Sequence, residues 1–185
     1  MAGASHRGAA RRWGSVALRS RPHAVQPPLA RPTITVRRLR PGDDRLLAEL
    51  AERNADFSAI DDGHDLEPLS ANESVTFLAD DRTATFVAFV GDEVVGFCYA
   101  LELYRRHSAL RHLCIYEVGV SSRHRNIGVG PALVEAVGDH ARAQGITRGF
   151  AITHKSNPAA MGLFEGSGGV RTSDDDVVFG FTWVG

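Results

Sequence analysis

Residues 116–130, Tyr-Glu-Val-Gly-Val-Ser-Ser-Arg-His-Arg-Asn-Ile-Gly-Val-Gly, set a carboxylate a few positions ahead of a basic, glycine-rich turn. Arg125, Gly128 and Gly130 stand in R-x-x-G-x-G spacing, and Ala132-Leu133-Val134 with Ala136-Val137 continue as an apolar helical run. Glycines let backbone approach a ligand closely, and the first turn of a helix carries N–H groups with no partner inside the helix. Those donors, the positive end of the helix dipole and the Arg125 guanidinium together suit a pyrophosphate. Glu117, on the strand feeding the turn, adds a proton acceptor nearby. The pairing points to group transfer from a phosphate-bearing cofactor.

The elements that must hold these residues are legible from pattern. Alternating Ile34, Val36 and Leu39 predict a first strand ending at Pro41-Gly42, and Asp43 is placed to cap a helix with Leu46, Leu47, Leu50 and Ala51 on one face. An acidic loop follows at 61–67. Ser70 and Glu73 then form a capping-box pattern for a helix carrying Val75, Phe77 and Leu78. Residues 84–90 and 93–104 read as strands of a hairpin turning at Gly91-Asp92. Residues 113–120, apolar on both faces apart from Tyr116 and Glu117, read as a central strand. A helix over 129–144 closes at Gly145, a short strand covers 149–153, and Asn157-Pro158 opens a helix over 158–165. Residues 177–184, rich in Val, Phe and Trp, read as a last strand, and one more short strand is expected near Val170. The predicted order is β-α-α-β-β-β-α-β-α-β.

The chain has 185 residues, enough for one core, and no apolar run approaches the roughly 20 residues a bilayer span needs. A soluble, cytoplasmic protein without membrane partners is the expectation. Nine arginines and no acid lie within residues 1–42, so residues 43–185 carry 12 basic and 22 acidic side chains, a net charge of −10. A field of that sign attracts cations and repels nucleic acid. Residues 1–31 read as a disordered Arg-rich extension ahead of a domain over 32–185. The same composition fits a transit segment, but 20 Arg against the single Lys155 favours GC-rich coding and an upstream start. Cys98 and Cys114 fall in apolar strands and read as buried thiols, and nothing has zinc-ligand spacing, so no metal is expected.

With this order of elements, the R-x-x-G-x-G turn and Asn157 ahead of a short helix, residues 33–184 resemble the GNAT superfamily of acetyl-CoA-dependent N-acetyltransferases. The segment Cys114-Ile115-Tyr116-Glu117-Val118-Gly119-Val120 is similar to that of the GNAT-type aminoglycoside 3-N-acetyltransferases, where an Asp stands in place of Glu117. The resemblance implies a mixed α/β fold, with a mostly antiparallel twisted sheet of six to seven strands flanked by about four helices. It also implies acetyl-CoA as co-substrate, a cationic aminoglycoside antibiotic acetylated at the 3-N position as acceptor, with a polyamine, another small amine or a peptide N-terminus or lysine as the alternatives, and a possible homodimer.

Carried onto this sequence, the resemblance gives the backbone of Val118, Gly119 and Val120 to the pantetheine arm and residues Arg125, Asn126, Gly128, Val129 and Gly130 to the pyrophosphate. Pro131 offers one N–H fewer. An amine of pKa about 10 must lose a proton before it attacks, and Glu117 is the candidate base; the alternative is a buried Glu paired with an Arg. Tyr116 is either an active-site hydroxyl or a core residue, because regular alternation points it away from Glu117. Asn157 caps its helix and is also a candidate for the pantetheine region. Phe164 stands where the superfamily has a tyrosine general acid, which leaves a non-catalytic acyl-CoA-binding module as the competing reading. Asp61, Asp65, Asp174, Asp175 and Asp176 are either amine-binding residues or solvated loop acids. His107, His112, His124, His140 and His154 show no ligand pattern.

Overall fold

The computed structural model describes residues 32–57 and 67–173. The extension at 1–31, the acidic stretch from Asp61 to Asp65, the triple Asp at 174–176 and the strand expected at 177–184 lie outside these residues.

The chain opens with β1 (Ile34–Arg38) and three helices, α1 (Asp44–Glu52), α2 (Asn54–Phe57) and α3 (Ala71–Ala79). Strands β2 (Thr83–Val90), β3 (Glu93–Tyr104) and β4 (Arg111–Val120) follow, then α4 (Val129–Ala143), β5 (Gly149–Ala151) and α5 (Pro158–Gly166). The five strands lie in the order β1-β2-β3-β4-β5, antiparallel except for the parallel pair β4 and β5. The predicted order holds from β1 to α5, with α2 as an addition. Gly168–Ser173 form no strand, so the short strand expected near Val170 is absent there.

Two apolar layers cover the sheet. On one face α4 sets Val129, Leu133 and Val137 against Phe86, Ala88, Val95, Cys98, Ala100 and Leu113. On the other, Leu50 and Phe57 meet Leu39, Val87, Val94 and Phe97. Local signals account for most boundaries. The capping box at α3 is complete, with the Glu73 N–H donating to Ser70 Oγ at 3.4 Å and the Ser70 N–H to Glu73 Oε2 at 2.9 Å. Val75 on that helix is exposed, not packed as its apolarity suggested. Asn157 caps α5, accepting from the Ala160 N–H at 3.0 Å. Asp43 stands at the N-cap position of α1, and its carbonyl accepts the Leu47 N–H at 3.0 Å, but its side chain makes no cap bond. Its carboxylate accepts both arms of the Arg37 fork at 2.8 Å and the Arg40 N–H at 2.8 Å, a charge-assisted set that outcompetes a single helix N–H. Among the described residues no helix is long and apolar enough to cross a membrane.

Candidate active site

The position of Glu117 follows from one irregularity in strand pairing. Tyr99 pairs with Glu117 but the next residue, Ala100, pairs with Ile115, so Tyr116 is an extra residue bulging from β4. A bulge reverses the parity of a strand beyond it. Leu113 and Ile115 face α4, and unbroken alternation would send residue 117 to the same side. With the bulge, Val118 and Val120 pack toward α4 and Glu117 faces the opposite side, in register with Tyr99 and, one strand further, Thr85. Tyr116 is 53% exposed, which overturns the core-packing reading, and its ring meets Tyr99 edge to face at 5.8 Å.

Glu117, Tyr99 and Thr85 floor a cleft walled by Leu47, Leu50, Ala51 and Asn54, by Glu67 and Leu69, and by Phe77 and Phe97. Burial, followed by the neighbouring Glu117 carboxylate, pushes the Tyr99 phenol above its ordinary value, so it remains a protonated donor at neutral pH. Cys98, fully buried behind the site, is pushed up to about 12 by burial and then by Glu117. Burial also raises Cys114. Both cysteines are free and buried as expected, and neither is a thiolate nucleophile at neutral pH.

Beyond Ile115, β5 no longer accompanies β4, and among the described residues no other strand takes its place. The outer edge at Val118 and Val120 therefore has the form that accepts an extended amide-bearing arm by strand addition. Gly119 has a packing role there. A Cβ on it would lie 2.8 Å from Phe57 Cβ and 2.7 Å from the Phe97 ring, so only glycine lets α2 seat on β4.

After Val120 the chain makes a 3-10 turn at Ser122–His124 and enters α4 through Asn126 at φ 62° and Gly128 at φ 105°. Gly128 is the N-cap, and its left-handed backbone favours glycine. The helix ladder starts with the Ala132 N–H bonding Gly128 O at 3.1 Å, ahead of which lie the N–H groups of Val129 and Gly130. Pro131 adds none. Arg125 is exposed beside this turn, its Nε donating to the Val120 carbonyl at 3.5 Å. These residues fit a diphosphate: two first-turn donors, a helix dipole and a guanidinium converge at the end of an open strand edge.

Sequence reasoning missed what holds this loop. Asp56 on α2 accepts from Ser121 Oγ at 3.3 Å, Ser122 N–H at 3.3 Å and Ser122 Oγ at 3.2 Å, while Arg53 donates to its other oxygen at 3.0 Å. The Arg53 bond, then those from the serines, keeps the Asp56 carboxyl below its ordinary range and ionised. No local pattern joins residues 56 and 121; only Ser121-Ser122 as a paired donor could have prompted a search for an acid. Asn157 sits on α5, whose Leu163 lies 3.0 Å from where a Gly130 Cβ would be, and Phe164 is partly buried on the same helix.

The family model for the acetyltransferase (GNAT) family matches residues 47–168, most of the described chain. The chain belongs to that family. It is a family of acyltransferases that use acetyl-CoA. N-acetyltransferase family 8 member 2 of Rattus norvegicus is 36% identical over 87 residues, covering 47% of this chain and 38% of that protein. N-acetyltransferase 8 of the same species is 31% identical over 116 residues, covering 62% and 51%. The chain thus spans about half the length, or less, of these relatives. The solved structure of the aminoglycoside N-acetyltransferase AAC(6')-Iy in complex with CoA superposes with a TM-score of 0.63 over 82% of this chain and 95% of that one, at 18% identity. At that identity the likeness shows the fold.

Proposed function

We propose that this GNAT protein moves the acetyl group of acetyl-CoA to the primary amine of a small cationic molecule, with Glu117 as general base. The observation that carries the reading is the bulge at Tyr116, which turns Glu117 into the cleft beside the open stretch of β4. The α4 entrance, with Arg125, Asn126, Gly128, Val129 and Gly130, is the proposed diphosphate site, and the Val118 and Val120 edge the pantetheine track. Glu117 takes a proton from the bound ammonium, and the amine nitrogen then attacks the thioester carbonyl. The new N–C bond forms as the C–S bond breaks; Glu117 releases the first proton to solvent, and the nitrogen sheds its second to water, which restores the proton the departing thiolate takes up. Tyr116, exposed next to Glu117, is the hydroxyl assigned to that last transfer, since Phe164 has none. The buried thiols of Cys98 and Cys114 favour this direct route over an acetyl-cysteine enzyme.

A 3-N-acetylated aminoglycoside as product is the finer reading of the 114–120 segment, and it rests on the likeness of that segment alone. The loop acids Asp61, Asp65, Asp174, Asp175 and Asp176 are its proposed ammonium partners. The test is Glu117→Gln: a positioned base contributes roughly 10²- to 10⁴-fold, so amine-dependent CoA release should fall by about that factor while acetyl-CoA still binds in calorimetry. Wild-type turnover in this variant would remove the base assignment. Cofactor binding without any amine-dependent release by the native chain would favour the non-catalytic module.

A further inference from the structure

We infer that the acceptor is a single amine carried on an apolar, preferably aromatic, body. This rests on the acetyltransferase reading of the same site and sets a monoamine against the aminoglycoside as its acceptor class. Around Glu117 the cleft presents Leu47, Leu50, Leu69 and Phe77. Its aromatic side is continuous: Phe77 packs on Tyr99 at 5.4 Å with the rings tilted 47°, and Tyr99 meets Tyr116 at 5.8 Å and 78°. Tyr99 lies in register with Glu117, so one ammonium gains the carboxylate and neighbouring π faces together. An apolar body behind that ammonium is sheltered from water by the leucines and Phe77, with a gain of about 25 cal/mol per Å² of area buried. A polyhydroxylated polycation would instead strip many hydroxyls and further ammonium groups of water against a wall that is mostly apolar, with Asn54, Thr85 and Tyr99 as its neutral polar side chains. Among the described residues the cleft carries Glu117 at its floor and Glu67 on the loop before α3, and Glu117 is the one beside the aromatic side.

The experiment compares 2-phenylethylamine with spermidine and kanamycin, reading kcat/KM at saturating acetyl-CoA and, separately, calorimetric binding to the CoA-loaded protein. The expected result is a preference of at least about tenfold for 2-phenylethylamine in both readings. Leu69 is 43% exposed, so Leu69→Asp keeps the fold intact while placing a charge on the apolar wall. It should erase or invert that preference. Equal or better turnover of spermidine or kanamycin overturns the inference and leaves the acetyltransferase reading standing. Selective binding of 2-phenylethylamine, abolished by Leu69→Asp, with no turnover of any amine upholds the ligand class and sinks the catalytic reading. If none of the three amines binds or reacts, the inference fails.

Discussion

Thr85 is 6% exposed on the floor of the cleft, and its hydroxyl has no hydrogen-bond partner among the described residues. Leaving a buried donor unmatched costs about 1–3 kcal/mol. Thr85→Val keeps the shape and removes the mismatch, so its thermal midpoint should equal or exceed that of the native chain. A clear drop would reveal a bonding partner for the hydroxyl. Cys98 yields a second expectation: a thiol with no exposed surface, pushed up to about 12, should resist alkylation at neutral pH until the chain is denatured. At this scale the sequence put Glu117 forward as a candidate because strand, basic turn and helix lie consecutively around it. It did not reveal which way the side chain points. That depends on the register of β3 against β4 at Tyr99 and Ala100, a long-range pairing that local alternation does not contain.

The elements were legible where their ends carry their own chemistry. Ser70 with Glu73 and Asn157 with Pro158 announce helix starts because the bonds that form them span three residues. Asp43 misled for the converse reason: its partner, Arg37, belongs to another element. The four-residue α2 is too short for any periodic signal, yet its Asp56 holds the turn that leads into α4. Asp56→Ala should loosen that turn and weaken acetyl-CoA binding roughly fivefold, about 1 kcal/mol, with acceptor KM less affected. Unchanged cofactor affinity would detach α2 from this role. On α4, burial and then the Arg38 guanidinium hold His140 below its ordinary 6.5, against a smaller opposite pull from Glu102, whose Oε1 lies 3.7 Å from Nε2. The unfolded chain therefore binds a proton near pH 6.5 that the folded chain refuses, so stability falls as pH drops from about 6.5 to the depressed folded value. Urea midpoints at pH 7.5 and 5.5 should differ more for the native chain than for His140→Gln. Equal differences would show that this histidine does not govern the slope.

Across the described residues the order of elements followed from turn chemistry and hydrophobic pattern, because β1 to β4 and α4 carry faces of the two core clusters, while the fold class came from the resemblance. Net charge was legible as a sum and not as a surface, since residues 43–185 spread their excess of ten negative charges over elements whose placement only the fold decides. No residue of 1–31 is assigned to the proposed site, and a chain starting at position 32 should keep acetyl-CoA binding and turnover within about twofold, a threshold small beside the tenfold steps expected of site variants. Greater loss would assign those residues a role in the fold or the site.

The seating of α2 has a thermodynamic corollary. Phe57 presses on Gly119 and Phe97, and its neighbour Asp56 grips Ser121 and Ser122, so one short helix is fastened to the acceptor side and the nucleotide side at once. Loading one ligand should then steady the ground on which the other lands, and since such coupling is reciprocal, coenzyme and amine should each tighten the other's binding by the same factor, one that calorimetry should find reduced in Asp56→Ala.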